Sequence, residues 1–411
     1  MAKKTANKLA KKSWTVMVYM AGDNNLDPEG VLDLREMKKV GSTEQLNVVA
    51  QFDRAVGHVA RRYYLRKDGI VTGDAVASLG TVNTGDPKSL TDFIDWGIDN
   101  YPADHYLLVL WNHGQGWDDT DIFAGERHRG VRRLASRVSR HALFRPPVRK
   151  LLKDANANPI ARAILIDDNA KDFLDNHEMT KVLAAMAKKL GRKLDILGMD
   201  ACLMSMAEIG YEISPSTEFT VGSEQTDPGQ GWPYEPILGA LATHPAMTPR
   251  DLGTLIVDKY LASYKSGDQV TYSACDLSKA KGLATAVTHL AKCLKASLTD
   301  AASQQRIQSV RNKVQSYEVA DNIDLVDFCA LLAKSGVDQT IKTACADVIK
   351  VVQTAYILKQ GYKGNALKNS NGVAIYFPTK EISPLYPGLA FSKKTGWNKF
   401  LKSYLQASRS R

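Results

Sequence analysis

The chain has 411 residues, 44% of them apolar and 24% charged. That ordinary balance excludes a mainly disordered, collagenous or coiled-coil protein, and no apolar run reaches the 18 residues of a transmembrane helix. The net charge of +10 is local: residues 1–12 carry five lysines, and residues 126–150 carry eight arginines and Lys150 against Glu126, leaving the rest near −3. A broad nucleic-acid face is therefore not expected.

Residues 1–12 read as a basic flexible tail. Trp14–Ala21 (WTVMVYMA) is an apolar run rich in β-formers and predicts a buried parallel strand. It is too short for a signal-peptide core and has no small-residue cleavage site. Asp23-Asn24-Asn25 supplies turn chemistry before a helix over 26–40. Strands follow at Leu46–Phe52 and Val59–Leu65, the latter expected to pair with Gly69–Thr72. Asp86 is the expected N-cap, and Pro87 the first turn, of a helix reaching Trp96.

His105–Trp111 (HYLLVLW) is a third buried strand, and Ala163–Ile166 a short one. Met179–Leu190 is an amphipathic helix, Leu194–Met199 a buried strand, Leu203–Ile213 a helix and Glu218–Ser223 a strand. Strands alternating with helices predict a three-layer α/β/α core with a mostly parallel sheet over 13–240. Residues 241–411 read as a mainly helical region. Its helices are expected at Pro249–Tyr264, Leu277–Leu298, Leu325–Lys334 and Ile341–Lys359. One or both of its strands, at Gln269–Cys275 and Gly372–Phe377, are expected to complete or flank the sheet. Residues 124–162, with Pro146-Pro147 and most of the arginines, predict an exposed, mobile insert.

Two strand ends carry reactive groups. HYLLVLW runs into Asn112-His113-Gly114, and LDILGM into Asp200-Ala201-Cys202. Ligands of doubly wound sheets sit outside such carboxyl ends. A helix beginning at Leu203 would favour a Cys202 thiolate and present amides to an oxyanion. His113 could protonate a leaving amine, and Gly114 lets backbone approach a substrate oxygen. The other four cysteines, 275, 293, 329 and 345, form no CxxC spacing, so neither a disulfide framework nor a structural zinc site is expected. Reduced thiols and the absence of a signal peptide point to a cytoplasmic setting, with export by another route left open.

The strings WTVMVYMAGDNNLD, LLVLWNHGQGW and LGMDACLMSMAEIGYE resemble the clostripain family of cysteine endopeptidases, of the caspase-like clan. The resemblance continues through DPGQGWPYEPIL, YSACDLSK, NIDLVDF and NGVAIYFP. It implies a caspase-like fold with Cys202 as nucleophile, His113 as its partner, and the amides of Gly114 and Cys202 as oxyanion hole. It also implies cleavage after Arg, sometimes Lys, with Asp200 in the pocket for that side chain. Basic-specific relatives are expected to carry an acid within the PG-x-GW segment, where this chain has Gln230. Glu224 and Asp227 are the neighbouring candidates to replace it, and Trp117 and Trp232 to line or flank the cleft.

Family precursors are cut between the His and Cys strands. The insert therefore offers processing sites at Arg127, Arg129, Arg132, Arg133, Arg137, Arg140, Arg145, Arg149 and Lys150, with the pieces expected to stay associated. No cofactor is required on this reading. Calcium, which some family members use, has candidate ligands in Asp118-Asp119-Thr120-Asp121 and Asp167-Asp168-Asn169. A peptide or protein substrate is the expected partner, with no membrane and no specific nucleic acid. The rival readings are a non-proteolytic scaffold that keeps the fold, and nucleic-acid binding through residues 126–150.

Overall fold

The structure is a computed structural model and describes residues 11–114, 116–118 and 164–409. The predicted processing sites and Asp119–Asp121 lie outside these residues. The main sheet takes β1 (Lys12–Gly22), β2 (Leu46–Arg54), β3 (Val59–Tyr64), β4 (Ala75–Gly80) and β5 (Ala103–Trp111) from the first half of the chain. After β6 (Ile164–Asp167) and β7 (Asp172–Leu174), which pair with each other, it adds β8 (Leu194–Asp200), β9 (Thr217–Gly222), β10 (Thr271–Asp276) and β12 (Ile357–Tyr362). The spatial order is β12-β10-β9-β8-β5-β1-β2-β3-β4. Five central strands are parallel, and an antiparallel pair flanks each side.

The apolar runs explain the layering. In β1, Met17 and Tyr19 join the core on one face while Val16, Val18 and Met20 join the core on the other. Both faces are covered, so the strand reads as continuously apolar rather than alternating. Helices α1 (Asp27–Val40) and α2 (Pro87–Asn100) begin the two outer layers. Asp86 caps α2 by accepting from the Lys88 amide at 2.8 Å, with Pro87 in the first turn. The C-terminal helices do not pack apart: Leu290, Leu332 and Trp397 share one core with Met17 and Leu108 of the sheet.

Three local expectations need correction. Residues 69–72 are not a strand. Val71–Asp74 form a 3-10 turn held by Lys38 and Arg66 on the Asp74 carboxylate, so β4 starts only at Ala75. The helix expected from Leu203 starts at Ala207. The Leu203 and Ser205 amides donate to the carbonyls of Gln225 and Ser223 rather than opening a helix. The helix expected to reach Lys359 ends near Val351, passes through a π turn, and becomes β12 because the outer edge of β10 offers an unfilled ladder. Residues 372–377 supply β13 (Ala374–Tyr376), which pairs with β11 (Asn322–Asp324) outside the main sheet.

Candidate active site

Strand register builds the site. β5 and β8 are parallel neighbours with Trp111 opposite Asp200. His113 and Cys202 each follow their strand's last paired residue by two positions. Parallel strands lie about 4.8 Å apart, so both side chains emerge at one height on the carboxyl rim. Both line a single cleft with Leu26, Asp200, Asp227 and Gly231. Each is 9% exposed.

The backbone around the thiol is tightly determined. A Cβ on Gly114 would lie 2.6 Å from the Cys202 carbonyl oxygen and 3.2 Å from its nitrogen, so only glycine lets the two backbones run side by side. Leu203 adopts a left-handed φ of 63°. That costs an L residue about 1–2 kcal/mol and is offset by burial of the leucine side chain. The helix after β8 begins only at Ala207, five residues past Cys202. The Asp227 amide instead donates to Cys202 Sγ at 3.2 Å, a donor that favours negative charge there.

His113 is oriented by a residue the sequence did not single out. Its Nε2 lies 2.9 Å from Asn25 Oδ1. An amide oxygen only accepts, so Nε2 carries the proton and donates. Asn112 braces the same corner. It donates to the carbonyls of Ala21 and Ile166 and accepts from the Ile166 amide at 2.9 Å.

Asp200 is buried beneath the 228–232 loop. Its Oδ2 accepts from the Trp232 amide at 3.2 Å and the Tyr234 hydroxyl at 2.9 Å. Gly231, at φ 55°, allows this, since a Cβ there would sit 2.9 Å from Asp200 Oδ1. Burial pushes the Asp200 carboxyl up to about 7, against which the Tyr234 and Trp232 donors act. Asp227 accepts from the Tyr260 hydroxyl at 2.7 Å, and burial, then the charge of Asp200, raises it well above the usual range. Asp33, which sequence reasoning also missed, accepts from the Trp111 indole at 2.6 Å. Burial and then Asp200 raise it too. Among the described residues none of the three carboxyls has a cationic partner.

Other candidates fall away from the cleft. Gln230 is exposed and is not among the cleft-lining residues. Glu224 is buried against Tyr317, whose hydroxyl donates to it at 2.6 Å. Trp232 packs on Tyr234 and Tyr272 below the loop, and Trp117 packs edge-on to Tyr376 and Tyr386. Asp167 spends both oxygens on Thr84, Asn169 and Ala170. Among the described residues no three His, Cys, Asp or Glu side chains converge on a metal position.

The sequence model of the clostripain family matches residues 18–131 and 150–404, which include every cleft residue named above. Clostripain of Hathewaya histolytica is 24% identical over 451 residues, spanning 93% of this chain and 78% of that protein. A secreted C11 cysteine protease of Bacteroides thetaiotaomicron, iotapain, has the same fold, with a TM-score of 0.66 at 16% identity over 94% of this chain and 99% of its own. So has an inactive zymogen C11 protease from Parabacteroides distasonis, at 0.64 and 18% over the same shares. With the family matched on both sides of the β5–β8 junction, and a cysteine and a histidine on one rim, this chain belongs to the clostripain family and is a cysteine endopeptidase.

Proposed function

We propose that the chain hydrolyses peptide bonds after a basic residue through a Cys202–His113 dyad. The observation that carries this reading is one cleft lined by thiol, imidazole and the buried carboxyls of Asp200 and Asp227. The Cys202 thiolate attacks the scissile carbonyl carbon, and the Gly114 and Cys202 amides receive the developing oxyanion. With Nε2 engaged by Asn25, His113 takes the Cys202 thiol proton on Nδ1 as the thiolate forms, and then gives it to the leaving amine. A thioester remains. His113 then takes a proton from water, which attacks the thioester and returns the thiolate. An arginine or lysine side chain brings the missing cation to Asp200, and Asp227 stands where an acid at position 230 would otherwise serve. A reporter peptide ending in Arg should be cleaved, its Gln counterpart should not, and equal rates for both would sink the specificity.

Asn25 acts as a positioning residue. Asn25→Ala lowers kcat roughly 10–100-fold with KM nearly unchanged, because the ring loses its tautomer lock. Asn25→Asp recovers most of the rate and moves the alkaline limb of the kcat/KM profile upward, since a carboxylate favours the imidazolium that acts as the acid. A uniform loss in both variants without a profile shift would mean a merely structural role.

The chain also processes itself within 127–150, and the pieces stay together through β5–β8 pairing and the Asn112–Ile166 bonds. Intact mass over a day at neutral pH shows wild type splitting after a basic residue there while Cys202→Ala stays whole. Identical splitting of both would assign the cut to another protease. A fully active uncut chain would remove processing as activation.

A further inference from the structure

Beside the catalytic cleft lies a second hollow of about 640 Å3, formed by α1, β2, β3 and residues 68–72. The two share a wall. Phe52 faces the groove, Trp111 faces the cleft, and their ring centroids stand 6.4 Å apart, edge to face. Gly30 holds α1 against this ring pair, where a Cβ would come within 2.6 Å of Phe52 and 3.3 Å of Trp111.

The groove is apolar and cationic together. Half-buried Val31 and Val71 supply apolar surface above the buried Leu34 and Phe52, and Ile70 stands on the rim 75% exposed. Five of the lining side chains are cations. Lys38 is paired with Asp74, Arg54 with Asp27 and Lys39 with Glu235. Arg35 and Arg61 have no acidic partner among the described residues, and the groove's one lining acid is Asp68.

We propose that this groove is an exosite for an extended segment of the protein substrate that alternates acidic and apolar side chains. The proposal rests on the endopeptidase reading of the neighbouring cleft. Two guanidiniums without counter-charges take carboxylates in bidentate pairs, and the apolar surface between them takes aliphatic side chains. The same charges repel a basic segment. The substrate, rather than another partner, is the occupant because a single ring pair separates groove from cleft. A chain held in the cleft needs only a few extended residues, at about 3.3 Å each, to cross it.

The test uses the full chain and internally quenched peptides sharing one Arg-directed scissile bond. One is bare. Others carry about eight further residues, roughly 26 Å extended, of alternating Glu and Leu or alternating Lys and Leu, on either side of the bond. The Glu–Leu extension on one side is expected to lower KM about tenfold, and the Lys–Leu extension is not. The double variant Arg35→Glu/Arg61→Glu loses that advantage while hydrolysing the bare peptide as wild type does. No advantage in wild type, an equal advantage for both extensions, or a parallel loss on the bare peptide would each overturn the proposal. Failure to hydrolyse even the bare peptide would instead refute the protease reading. The groove is then read by anisotropy of a labelled Glu–Leu peptide titrated with the Cys202→Ala chain. Saturable binding that Arg35→Glu/Arg61→Glu removes supports the exosite, and no binding overturns it.

Discussion

Cys202→Ala removes at least about 10⁴-fold of kcat against an Arg-ended reporter, with the fold retained. Among the described residues no other thiol lines the cleft, and Cys275 on β10 is buried with its proton held up to about 12 by burial. The structural cost is small. Alanine fills the same backbone position, and the Asp227 amide loses its sulfur acceptor, worth about 1–3 kcal/mol. Melting temperature therefore falls by a few degrees while activity disappears. Residual activity within tenfold of wild type would place the nucleophile elsewhere.

Asp200→Asn has the second-largest effect, and it separates specificity from stability. Without the carboxylate, kcat/KM for an Arg-ended substrate falls about 10³-fold. The pH dependence has a definite sign. Burial raises Asp200 from 3.8 to about 7 in the folded chain, so the folded state holds this proton more tightly than the unfolded one. The stability associated with that proton is fully present below about 3.8 and is lost as pH rises through about 7. An ionised, buried Asp200 thus burdens the free enzyme at pH 8. Asp200→Asn should melt higher than wild type at pH 8, with the difference shrinking toward pH 5. Wild-type kcat/KM for basic substrates should fall as pH drops below about 7, when Asp200 becomes protonated and neutral. An Asn variant less stable than wild type at pH 8 would show that the Tyr234 and Trp232 donors outweigh desolvation.

Much of the sheet was legible because doubly buried strands such as 14–21 and 105–111 must be continuously apolar. The meeting of His113 and Cys202 at one rim was legible because two reactive side chains each followed such a run at once. What escaped depends on partners distant in sequence. Leu203–Met206 looks helical by composition, yet the Leu203 and Ser205 amides answer to the chain just past β9. Residues 357–362 look like a helix tail until β10 presents an open edge. Asn25 stood in a turn rich in Asp and Asn, and nothing local marks which of them reaches His113. Asp33 sits on a helix face between apolar neighbours, and only the fold brings it under Asp200. The resemblance drew attention to Gln230, which is exposed, whereas Asp227 lines the cleft.

The junction between β5 and β8 has a consequence for solubility. A cut anywhere between those strands leaves β1–β5 on one polypeptide and β8, β9, β10 and β12 on the other. Pulled apart, each piece would bare the edge of a long, apolar parallel ladder, the kind of surface that templates aggregation. Leu107–Trp111 on one side and Ile196–Asp200 on the other are mutual shields as well as structural neighbours. Neither piece is then expected to persist alone in solution, and dilution or mild denaturant should precipitate the separated halves instead of releasing two stable monomers.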